Sequence, residues 1–180
     1  SRSVNISENP AVVTVGAIHS GIRQNIIPES AHMIGTIRTF DPAQRALVHR
    51  RINEIATNIA LSGGGKADVT IGTGYPVTYN NPKLVENMLP TLVGISGKEG
   101  VSLIHAHMGA EDFSYFQEKT PGFFFFLGAR PADKKVTEVA AHHTPDFYLD
   151  ESKFQIGVKA LSHLVVDYFE QNTVNKKLKK

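Results

Sequence analysis

The chain has no cysteine among its 180 residues, which excludes disulfides and thiolate metal ligands within it. A reducing compartment, the cytoplasm, is the expected setting. Charge of either sign is nearly balanced: 19 Lys and Arg against 17 Asp and Glu leave a formal +2. Much of that excess sits in the run Lys176-Lys177-Leu178-Lys179-Lys180, which reads as a solvated end rather than a contact for nucleic acid or a membrane surface. No stretch approaches the roughly 20 apolar residues that span a bilayer, and the longest dense apolar run, Phe123 to Leu127, has the length of a strand. Ser1-Arg2-Ser3 is neither an initiator methionine nor a signal peptide, so any targeting segment is expected upstream. No internal repeat is present, and nothing assembles a Ser-His-Asp or Cys-His nucleophile set. Gly63-Gly64-Gly65 lacks the context of a phosphate loop and reads as a helix stop.

What remains is the composition of a globular protein, 41% hydrophobic and 20% charged. Val12 to Ile18 and His32 to Phe40 read as strands joined by a connection containing Gly and Pro. Asp41-Pro42 supplies an N-cap and a proline at the first helical position. Val48, Ile52, Ile55 and Ile59 follow at helical spacing, so an amphipathic helix is expected from Pro42 to Leu61. Ala67 to Tyr75 alternates as a third strand, which makes the first third β-β-α-β.

Asn81-Pro82 opens another helix with Leu84, Val85, Met88, Leu89 and Leu92 on its apolar face, and Pro90 is expected to bend or divide it. Gly122 to Leu127, apolar on both faces, reads as a strand inside a sheet. A lone interior strand needs neighbours for its backbone groups, and those are expected from missing sequence or another chain. The last helix is expected from Glu151 to Gln171 with Phe154, Val158, Leu161, Val165 and Tyr168 buried. The segment from Tyr75 to Asn81 is the best boundary, giving units 1–76 and 77–180.

Three clusters carry candidate chemistry. In His142-His143-Thr144-Pro145-Asp146-Phe147, imidazole suits zinc and similar ions, and Asp146 could orient a ring. The same residues also read as two exposed loop histidines. In Met108-Gly109-Ala110-Glu111-Asp112-Phe113, glycine permits close approach of a ligand, while Glu111 and Asp112 could bind a cation or compensate a helix dipole. Arg38 is either an exposed strand arginine or a fork awaiting a carboxylate, and Gly21 to Pro28 precedes it. His105 and His107 share one face if their segment is extended, an arrangement that would suit a metal pair.

Taken in order, Val12-Val13-Thr14-Val15-Gly16-Ala17-Ile18-His19, Asn25-Ile26-Ile27-Pro28, Gly35-Thr36-Ile37-Arg38-Thr39-Phe40, Met108 to Phe113 and His143-Thr144-Pro145 resemble the aminoacylase/carboxypeptidase G family of dinuclear metallohydrolases. The branch they are most similar to is that of hippurate hydrolases and indole-acetyl-amino-acid hydrolases. The resemblance covers about residues 10 to 171 and rests on the ordered set of motifs.

It implies an α/β fold with an α+β lid. Residues 1–76 would be the later part of a lid and dimerisation domain, a small antiparallel sheet with helices on one face. Residues 77–180 would close a catalytic α/β domain. It implies His143 as a metal ligand, Asn25 and Arg38 as substrate-binding lid residues, and Gly109 and Glu111 on a loop bordering the substrate; no role follows for Asp112. Two divalent ions, Zn, Mn or Co, would activate a shared water against the amide of an N-acyl amino acid or small peptide. A glutamate would act as general base. The other metal ligands and that glutamate belong to family motifs that do not occur here, so the chain alone is expected to be an inactive portion of a homodimeric enzyme. A non-catalytic dimerisation module is the alternative.

Overall fold

The computed structural model describes residues 9–177. In the first unit, β1 (Ala11–Ser20) and β2 (Ala31–Thr39) pair antiparallel, from Ala11 opposite Thr39 to Ser20 opposite Ala31. The register shifts between Val15 and Ala17, which makes Gly16 the extra residue of a bulge. Gly35 stands opposite Val15, and a Cβ there would collide with the Thr14 carbonyl. Only glycine allows the strands to approach this closely.

Helix α1 (Pro42–Ser62) begins as its sequence predicts: the Asp41 carboxylate accepts from Gln44 N at 2.6 Å and Pro42 opens the first turn. Its buried side chains are Gln44 and Val48. Gln44 Nε2 donates to the Asn9 carbonyl, while its Oε1 is buried without a hydrogen-bond partner. The expected apolar face holds only at its start, because Ile55 and Ile59 are exposed. A two-stranded sheet is too narrow to cover a 21-residue helix.

The expected third strand is the reason. Residues 67–75 join no ladder among the described residues, and Gly74 has φ 58°, which is not strand geometry. Alternation showed which faces such a strand would offer; it carried no information about a neighbour. Arg45 Nη1 reaches the Thr73 carbonyl at 3.4 Å.

In the second unit, α2 (Pro82–Ser96) is capped by Asn81, whose side chain accepts from Leu84 N at 3.0 Å. Pro90 lies inside it and does not divide it, one of the two outcomes expected there. Helix α4 (Phe154–Lys177), after a single turn at Glu151–Lys153, packs on α2. The buried cluster comprises Met88 (3% exposed), Leu92 (8%) and Ala160 (3%). Thr91 Oγ1 donates to Asp167 Oδ2 at 2.5 Å across the helix pair. The covered side of α4 runs through Ile156, Gly157, Ala160, Leu164 and Asp167, each at least half-buried.

The stripe predicted to be buried, Phe154, Val158, Leu161, Val165 and Tyr168, is the exposed one, with Val158 at 67% and Leu161 at 62%. A Cβ on Gly157 would lie 3.0 Å from Leu127 Cδ2, so this side of α4 is also covered by the segment that ends at Leu127.

Residues 122–127 likewise enter no ladder among the described residues. Two features of an interior strand survive. Phe123 pairs with Phe125 at 5.7 Å and Phe124 with Phe126 at 5.3 Å between ring centroids, the i, i+2 pairs of an extended chain. The Asn80 side chain also imitates a neighbouring strand, accepting from Phe124 N and donating to Phe124 O, each at 2.7 Å. Asn81 N adds a bond to the Gly122 carbonyl at 3.0 Å.

The first compact unit extends to Val77 and takes in Ala106–Ser114; the second holds Thr78–His105 and Tyr115 onward. No helix among the described residues is long and apolar enough to cross a membrane.

Candidate active-site residues

Four of the five candidates, Asn25, Arg38, Gly109 and Glu111, belong to the first unit, and His143 belongs to the second. Arg38 is the next-to-last residue of β2, opposite Val12 of β1, so the ladder fixes its backbone. Its Nη1 donates to the Met108 carbonyl, 70 residues further along the chain. That bond brings the strand arginine and the Met108 to Asp112 loop together, and no spacing in the sequence announced it. Asn25 lies exposed on the connection between the strands, which turns through Ile26 N donating to Arg23 O at 3.3 Å. No hydrogen bond joins Asn25 to Arg38 or to the loop among the described residues.

The loop leads into the short helix α3 (Phe113–Gln117). Glu111 contributes its main-chain carbonyl to the start of this helix, accepting from Ser114 N at 3.2 Å and from Ser114 Oγ at 2.5 Å. Ser114 is fully buried, so the C-terminal end of the loop is anchored by a polar side chain that composition alone does not single out. A Cβ on Gly109 would lie 3.4 Å from His107 Cδ2, so the loop folds closely on itself there.

His143 has φ 64° and is the one non-glycine residue with positive φ among the described residues. Histidine is tolerated in the left-handed region more readily than most residues but still holds it at a cost. The turn that imposes it is closed by Thr144 Oγ1 donating to Ala141 O at 2.7 Å and by Phe147 N donating to Thr144 O at 3.2 Å. His142 is occupied differently: its ring stands edge-on to Phe147 with centroids 4.8 Å apart. The centroids of the two imidazoles are 6.4 Å apart. Asp146 makes no hydrogen bond to either ring among the described residues, so the orienting role its position suggested is not filled here.

Downstream, the Asp150 carboxyl is held below the usual carboxylate range, chiefly by hydrogen bonds from Ser152 and further by the charge of Lys153. It caps the turn before α4, accepting from Ser152 N at 3.0 Å.

Residues 4–167 match the profile of peptidase family M20/M25/M40. The chain is 34% identical over 160 residues to thermostable carboxypeptidase 2 of Saccharolobus solfataricus, covering 88% of this chain and 39% of that protein. It is 40% identical over 129 residues to N-acetyldiaminopimelate deacetylase of Streptococcus suis, covering 71% of this chain and 34% of that protein. Among solved structures it resembles the YXEP protein of Bacillus subtilis, described as a dinuclear metal-binding peptidase of the M20 family. That match has a TM-score of 0.67 and 30% identity, over 89% of this chain and 42% of that one. The chain thus spans about two fifths of the length of these relatives.

Proposed function

The chain belongs to peptidase family M20/M25/M40, and from that premise we propose that it is part of a metal-dependent amidohydrolase acting on N-acyl amino acids of the hippurate type or small peptides. The observation that carries the reading is His143, a residue of metal-ligand chemistry held at φ 64° by a hydrogen-bonded turn. Unfavourable backbone geometry at such a residue is the kind of feature that accompanies function. Among the described residues, however, no three His, Cys, Asp or Glu side chains come together in a way that could hold a metal ion. The residues present do not by themselves fit a metal pair. His143 is proposed as one donor of a set completed from outside them, and the chain alone is proposed to be inactive.

What this chain's own residues do is hold the substrate. Arg38 presents an exposed guanidinium from a fixed strand position, and a planar fork matches a carboxylate with two parallel hydrogen bonds. Asn25 is proposed to approach the same substrate from the connection between the strands. Gly109 and Glu111 would border it through the loop that Arg38 contacts.

Comparing hippurate with its primary amide, which lacks the carboxylate, tests this reading in the native protein. Hippurate is expected to be hydrolysed and the amide to lose most of its turnover. Arg38→Ala is expected to remove that preference, and equal turnover of both substrates by the unaltered protein would contradict it.

A second reading, a dimerisation module, is favoured by the hairpin itself. Its sheet has two strands, and Val13, Val15, Ile18 and Met33 are exposed on it. A homodimer through these strands is compatible with the enzyme reading.

A further inference from the structure

We propose that Arg38 is also the positioning residue of the loop from His107 to Asp112. On this account one guanidinium both receives the substrate's carboxylate and keeps Glu111 and Asp112 in place; only the carboxylate half rests on the function proposed above. The loop belongs to the hairpin's unit although the chain on either side of it, up to His105 and from Tyr115, belongs to the other. It has no helix or strand between Ala106 and Asp112, so its conformation depends on the contacts it makes. At its far end Ser114 N and Oγ hold the Glu111 carbonyl. Near its start Arg38 Nη1 holds the Met108 carbonyl. Two anchors three residues apart leave little freedom to Gly109 and Ala110 between them.

Arginine suits both tasks at once. Its guanidinium carries five N–H donors. The Met108 carbonyl takes a hydrogen bond from Nη1, which leaves the edge formed by Nε and Nη2 intact, and that edge can hold a carboxylate through two parallel bonds. A carboxylate docked there would meet a guanidinium already immobilised by the strand and the loop, so less rotamer freedom is lost on binding.

Backbone ¹⁵N relaxation on the 180-residue chain, with no substrate present, tests the loop half. In the unaltered chain the amides of Gly109 to Asp112 should show order parameters near about 0.8, and in Arg38→Ala they should fall below about 0.6, with β1, β2 and α1 unchanged. Arg38→Lys should recover the loop's order, since holding one carbonyl needs one donor. It should not recover hippurate hydrolysis in the native protein, since the fork is gone. A loop as ordered in Arg38→Ala as in the unaltered chain overturns the proposal, and so does a loop that stays loose in Arg38→Lys. Should Arg38→Ala fail to fold, the unaltered chain still decides. A slowly exchanging Arg38 Nη1 proton coupled to the Met108 carbonyl carbon is the expected signal, and its absence overturns the proposal. Failure of hippurate hydrolysis with the loop signals intact would instead overturn the function and leave this inference standing.

Discussion

The hairpin of the first unit is held by a backbone ladder whose side chains stay mostly in the open, whereas the helix pair of the second is held by a few buried side chains. In the hairpin, nine residue pairs run from Ala11 to Ser20 against Ala31 to Thr39, yet Val13, Val15, Ile18, Met33 and Ile34 are all exposed. In the helix pair, Met88, Thr91, Leu92 and Ala160 are buried and the Thr91–Asp167 bond crosses the contact. The two units should therefore fail for different reasons: the ladder through backbone geometry, the helix pair through lost packing.

The largest expected effect tests the helix pair. Leu92→Ala removes a buried side chain and should cost about 2–5 kcal/mol, read as a lower denaturation midpoint for the α2 and α4 amides in hydrogen exchange. The β1 and β2 amides should keep their protection; their loss together with α2 would break the distinction between the units. Next comes Gly35→Ala, in which the new Cβ meets the Thr14 carbonyl. A forced backbone shift of this kind costs on the order of 1–3 kcal/mol, and here the hairpin amides should lose protection while α2 and α4 keep theirs.

Smaller and equal effects are expected where the two units use the same device. Asp41→Ala and Asn81→Ala each delete an N-cap bond, to Gln44 N and to Leu84 N, and each should cost about 1 kcal/mol in its own unit. The smallest effect is pH-dependent. Because the folded Asp150 carboxyl titrates below its unfolded value, its contribution is present above about pH 4. It is lost as pH falls through the depressed value. Asp150→Asn should remove that acid-side slope, lowering stability slightly above about pH 4 and leaving it nearly unchanged at more acid pH.

Where the sequence could be read, local chemistry was decisive. Asp41-Pro42 and Asn81-Pro82 start their helices as caps with a following proline, and alternation located both hairpin strands. The misreadings concern partners. Residues 67–75 alternate like a strand, but pattern describes a face and does not reveal whether another strand is present to pair with it; residues 122–127 are expected to find their neighbours outside this sequence. The α4 stripe was misassigned for a related reason. Large apolar residues from Phe154 to Tyr168 outweigh Gly157 and Ala160 in any hydrophobic count, yet the covered side runs through Ile156, Gly157, Ala160, Leu164 and Asp167.

The candidate residues show the same division. His143 was visible because a histidine pair precedes Thr-Pro, and the left-handed backbone that distinguishes it from His142 emerged only with the turn closed by Thr144 and Phe147. The bond from Arg38 to Met108 had no signal in composition or spacing, because they lie 70 residues apart with the stretch Thr78–His105 of the other unit between them.

The central claim, that His143 is a metal ligand of an amidohydrolase, is tested most directly by measuring metal stoichiometry and hippurate hydrolysis together in the native protein and in its His143→Ala variant. About two metals per chain are expected in the unaltered protein, with loss of bound metal and at least about a 100-fold drop in hydrolysis in the variant. A variant that keeps the full metal content and the full rate would contradict it.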